Sequence, residues 1–98
     1  MPLKDIIQED RRLVILRALV EMDGFEANES IIDHCLEVYG HNMSRDSVKT
    51  QINWLNEQGL VTLRDIGGCL IVTLTGRGQD VANGAATVPG VKRPRAGS

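Results

Sequence analysis

Between Ser44 and Val61 the chain, SRDSVKTQINWLNEQGLV, repeats apolar positions with a helical period and then breaks off. Val48, Ile52 and Leu55 recur at spacings of four and three, which places them on one face of a helix. Ser44 stands where a side-chain oxygen can accept from the first free N–H groups, and Gly59 stands where a helix ends in the left-handed conformation. Leu60-Val61 opens the next element. Residues 60–65 and 69–74 are aliphatic and β-branched runs on either side of Gly67-Gly68, the chemistry of a hairpin turn.

Upstream, periodicity predicts a first helix from about Leu3 or Lys4 to Met22, stopped by Asp23-Gly24. Its stretch Leu13–Val20, LVILRALV, is broken only by Arg17 and needs cover on more than one side. Either a second copy of the chain covers part of it, or it is the centre of a single core. A second helix follows the cap region Asn28-Glu29-Ser30, with Ile32, Cys35, Leu36 and Tyr39 on one stripe and Gly40 at its end. Gly40-His41-Asn42-Met43 is then a short turn into Ser44, so the two helices form a helix-turn-helix unit. Met43 is placed to staple onto the third helix. Thr75 caps a last short helix, about Gly76 to Ala82, whose glycines read as tight packing at a helix start. The expected fold is α+β, a winged helix-turn-helix in the order α-α-α-β-β-α. It occupies residues 1–84, and 85–98 is expected to be a disordered, flexible basic tail.

Composition narrows the picture. The chain has 98 residues, 42% of them hydrophobic but only 3% aromatic, so one small aliphatic core is expected. No apolar run approaches the ~20 residues that span a bilayer. The opening MPLKDIIQEDRR lacks the basic-then-apolar order of a secretory signal, which favours an intracellular protein. Cys35 and Cys69 lie far apart, and their spacing to His34 and His41 fits no common zinc pattern, so no metal and no cofactor are expected. Net charge is −2: up to residue 91 eight Lys/Arg face all thirteen Asp/Glu, a balance of −5, and Lys92, Arg93 and Arg95 complete the total. An acidic body with a short basic tail is not the footprint of a strong nucleic-acid binder.

With Val48, Ile52 and Leu55 buried, the opposite face of the third helix centres on Asp46, Thr50, Asn53 and Glu57. The candidate DNA-binding residues are Arg45, Ser47, Lys49, Thr50 and Asn53 on that helix. Arg64 near the hairpin tip and Lys92, Arg93 and Arg95 in the tail join them as backbone contacts. Arg or Lys donates to guanine, Asn pairs with adenine, and Ser or Thr reaches bases or phosphates. Asp46 and Glu57 oppose phosphate, although Asp46 also complements the positive end of the helix dipole. Trp54 reads as a packing residue at the core's edge.

The residues from Ser44 to Val61, with the hairpin and Leu74-Thr75-Gly76-Arg77-Gly78, resemble the winged-helix domains of ArsR- and MarR-type bacterial regulators. A longer likeness covers nearly the whole chain. DRRLVILRALVE at 10–21, Asn28-Glu29-Ser30, SRDSVKTQINWLNEQGLVTL at 44–63 and LTGRGQDVANGAATVPGVKRP at 74–94 resemble a small protein family of Mu-like bacteriophages and prophages. That likeness implies phage origin and a place in the cytoplasm of a bacterial host.

Two functions follow as expectations. One is a transcriptional regulator, dimeric through helix one, that reads double-stranded DNA with helix 44–58. The alternative is an interaction module binding a phage or host protein in assembly or packaging. The acidic body and the acids Glu26, Glu29, Asp33 and Glu37 along the second helix motivate it. No Ser/His/Asp arrangement, paired-carboxylate pocket or phosphate-cradling loop points to an enzyme.

Overall fold

Helix α1 (Leu3–Val20) crosses the middle of the molecule and carries Leu13, Ile15, Leu16 and Leu19, all buried. The coordinates are a computed structural model, and they describe residues 2–95. Of the two ways to cover α1, the single chain supplies one: α2, α3, α4 and β3 all pack on it. Val14 and Val20 are half-buried against the same core. The helix stops two residues before the expected Met22. A short 3₁₀ turn (Asp23–Phe25) follows, with Gly24 and Phe25 at positive φ.

That turn leads into β1 (Glu26–Asn28), an element the residue pattern does not announce. Glu, Ala and Asn have low strand propensity, and the segment is extended because β3 is there to pair with it. Asn28 then caps α2 (Glu29–Val38), its side chain accepting from the Ile31 N–H at 2.9 Å. Ile32 and Leu36 are buried as expected, whereas Tyr39, placed on the same stripe, is 70% exposed.

Ser44 caps α3 (Arg45–Glu57) by accepting from the Ser47 N–H at 3.1 Å. Both α2 and α3 end the same way. The N–H of His41 reaches the Leu36 carbonyl, and that of Leu60 reaches the Leu55 carbonyl, with Gly40 and Gly59 left-handed between. This closure needs positive φ at the glycine. Hairpin β2 (Val61–Ile66) and β3 (Cys69–Leu74) turns on Gly67-Gly68, both at positive φ, with the Asp65 carboxylate accepting from the Gly68 N–H. The sheet is three-stranded and antiparallel in the order β1-β3-β2. Thr75 caps α4 (Gly76–Ala82) by accepting from the Gly78 N–H. The element order is therefore α-β-α-α-β-β-α rather than α-α-α-β-β-α.

Residues 85–95 form no helix or strand, but they do not stand away from the body as a basic tail would. Val88 and Val91 are 4% and 6% exposed and belong to the core. The Lys92 N–H donates to the Glu9 carbonyl, and the Arg12 guanidinium donates to the Gly90 carbonyl at 2.9 Å. Residues 88–92 are thus a strap across α1. The reason is local: two valines at a spacing of three outweigh the surrounding Gly, Pro and charge. Residues 96–98 of the expected tail lie outside the described residues.

Candidate nucleic-acid interface

The seam Val48, Ile52 and Leu55 is fully buried, so α3 is locked in rotation about its axis. That rotation exposes Arg45, Asp46, Ser47, Thr50 and Asn53 on the opposite side and leaves Lys49 half-buried. Gln51 belongs to the buried side at 4% exposure. Its side chain accepts from Arg12 Nε at 2.8 Å and donates to Gln8. The signal for Gln51 was in the sequence, because it stands three residues from Val48 and four from Leu55.

Most candidate donors already have partners. Thr50 Oγ1 donates to the Asp46 carbonyl and Asn53 Nδ2 to the Lys49 carbonyl, each back along its own helix. The Ser44 hydroxyl donates to Ser47 Oγ. Arg45 lies 3.6 Å from both Glu29 Oε2 and Asp33 Oδ2, and Lys49 Nζ lies 3.9 Å from Glu29 Oε2. Arg64 is bonded at 3.1 Å to Glu26, whose other oxygen accepts from Thr73.

The acids expected along α2 are correspondingly redistributed. Glu26 belongs to β1, and Glu29 is 2% exposed, with Oε1 accepting from the Leu70 N–H at 2.7 Å. Sequence reasoning missed this role. Nothing in the pattern distinguishes a buried first-turn glutamate from one that faces water, and only the approach of β3 decides it.

The tail candidates divide. Arg93 and Arg95 are exposed, whereas Lys92 Nζ lies 3.3 Å from Asp10 Oδ1. His41 Nε2 lies 2.7 Å from the other oxygen of Asp10, so this carboxylate joins α1, the α2–α3 turn and the strap. Partial burial raises its pKa, but hydrogen bonds and charge from His41 and Lys92 outweigh that and hold it below the ordinary carboxylate value. Burial lowers the pKa of Arg12, with Glu9 and Asp5 opposing. Its guanidinium lies 3.9 Å from the centre of the Trp54 ring, which makes Trp54 a packing platform for the protein's own cation.

A second concave surface lies between α1, the end of α2 and the strap. This groove of about 540 Å³ is lined by Val14, Ala18, Val38 and Tyr39 and by charges of both signs, Arg17 and Arg95 with Asp10 and Glu21. Cys35 is half-buried in its lining and is a free thiol, as is Cys69. Among the described residues no helix is long and apolar enough to cross a membrane.

No protein-family model matches the chain. It is 61% identical over 93 residues to the uncharacterized protein gp26 of Escherichia phage Mu, covering 95% of this chain and 96% of that protein. It is also 47% identical over 78 residues to an uncharacterized protein of Haemophilus influenzae, covering 79% of this chain and 76% of that one. The aligned spans take in most of the core, the α2–α3 unit among it, so the likeness concerns the whole domain rather than one motif. The chain belongs to the family of Mu-like phage proteins that includes gp26.

Proposed function

We propose that this protein is a winged helix-turn-helix DNA-binding protein, a phage regulator that lays α3 in the major groove with the β2–β3 hairpin as its wing. The observation that carries the reading is the uncovered face of α3. Arg45, Ser47, Thr50 and Asn53 are exposed on a helix whose rotation is set by a buried seam and whose N-terminus is capped. In helix-turn-helix proteins the second helix enters the groove through its N-terminal residues, which is where Arg45 and Ser47 lie, with Thr50 and Asn53 further along the exposed face. Cytoplasm of the bacterial host is the compartment that goes with this reading.

Electrostatics make the expected binding modest. Of the candidate cations, Arg45, Lys49, Arg64 and Lys92 are each paired with an acid, which leaves Arg93 and Arg95 exposed outside the ion pairs described. The test is enrichment of fragments of the phage's own genome over random duplex across a salt series. Sequence-selective retention with a shallow salt slope, about −2 to −3 for two or three phosphates neutralised, supports the reading. Equal retention of random and phage duplex at every salt concentration overturns it.

The α1–α2 groove favours a second reading, an interaction module for a protein segment with apolar side chains. Val38 and Tyr39 in its lining are 69% and 70% exposed, and Arg17 and Arg95 add positive charge among lining residues that also include Asp10 and Glu21. Loss of partner binding on Val38→Asp, with duplex binding unchanged, is the result this alternative requires.

A further inference from the structure

At the front of α3 two cations converge on one buried acid. Glu29 Oε2 is buried and has no hydrogen-bond donor within reach, and Asp33 Oδ1 is in the same condition. Arg45 and Lys49 approach Glu29 only to 3.6 and 3.9 Å, as charges rather than as hydrogen-bond donors. Their side chains remain 48% and 39% exposed. Glu29 itself does not move, because the Leu70 N–H of β3 holds its other oxygen.

We propose that Glu29 is a positioning residue that draws Arg45 and Lys49 back against α2 and so restrains phosphate binding by α3. The proposal rests on the DNA-binding reading above and adds to it a charge latch within the same surface. The physics is a competition. A phosphate that draws the two cations outward leaves a buried carboxylate without compensation, which is costly in a low-dielectric site. Glu29 and Asp33 also cancel, at short range, the two charges that α3 would offer to a duplex. A neutral side chain at position 29 removes the cost and Glu29's share of the cancellation while keeping an oxygen for the Leu70 N–H.

Wild type, Glu29→Gln and Asp33→Asn are to be compared for binding to a fluorescein-labelled random-sequence duplex across a salt series, each first shown to be folded by thermal melting. Asp33→Asn is the second arm because Asp33 is less buried, at 19% exposure, and its loss perturbs the core less. In parallel, acylation of Lys49 by an amine-reactive ester is followed by mass spectrometry, with Lys92, held by Asp10, as the internal reference. The expected result is binding about tenfold tighter in Glu29→Gln, a slope steeper by about 1, and faster acylation of Lys49 but not Lys92.

Duplex binding by the wild type that both variants leave unchanged in affinity and slope overturns the latch alone. Binding by none of the three, to random duplex or to fragments of the phage's own genome, overturns the DNA-binding reading and with it the restraint assigned to Glu29.

Discussion

Gly78 shows how much a single residue can decide here. It lies in the first turn of α4, and a Cβ at this position would lie 2.1 Å from the Leu60 carbonyl oxygen and 2.7 Å from Leu74 Cδ1. The oxygen is backbone and accepts from the Thr75 N–H, so it has no room to yield. Gly78→Ala is therefore expected to cost about 3 kcal/mol or more through overpacking, read as a fall in the urea midpoint. Gly76, with open space around it, makes the control.

Asp10 supplies a residue-scale prediction in pH. Its folded pKa is depressed below the ordinary value of 3.8, so its contribution is fully present above that value and is lost as pH falls through the folded one. The stability gap between wild type and Asp10→Asn should hold its size at pH 5 and narrow from about pH 4 downward. A gap that widens on acidification contradicts this sign.

Helix ends govern the middle scale. The Ser44 cap, the two glycine closures and the Thr75 cap were legible because each depends on chemistry within six residues of chain. Ser44→Ala removes the acceptor for the Ser47 N–H and is expected to cost about 1 kcal/mol, measured by chemical denaturation. The β1 strand was not legible. Glu26, Ala27 and Asn28 are extended because they face Thr73, Val72 and Ile71 of a strand more than forty residues on. Local propensity carries no record of such a partner. The candidate surface divides in the same way. The outward positions on α3 follow from the period of Val48, Ile52 and Leu55, but the acids that hold Arg45 and Lys49 come from α2.

Across the whole molecule the strap is the feature that ties distant elements together. Gly90 lies on Trp54 so closely that a Cβ would come within 2.7 Å of the ring, and Arg12 is clamped between that ring, the Gly90 carbonyl and Gln51. Ending the chain at Ala86 removes two buried valines and is expected to cost about 3 kcal/mol. Trp54 is the single tryptophan, so the same truncation should shift its fluorescence to the red. An unchanged emission maximum and an unchanged melting temperature would return residues 87–95 to the status of a loose tail.

What the amino-acid sequence determined alone is everything written in short-range code: the helical period of α3, its cap and its glycine stop, the hairpin turn at Gly67-Gly68, and the cap of α4. Tertiary structure alone decided the burial of Glu29, the extension of residues 26–28, the docking of Val88 and Val91, and the pairing of the candidate cations. The division has one physical cause. Periodicity and capping are satisfied by neighbours along the chain, whereas a buried charge or an edge strand is stable only when a remote backbone group arrives to meet it.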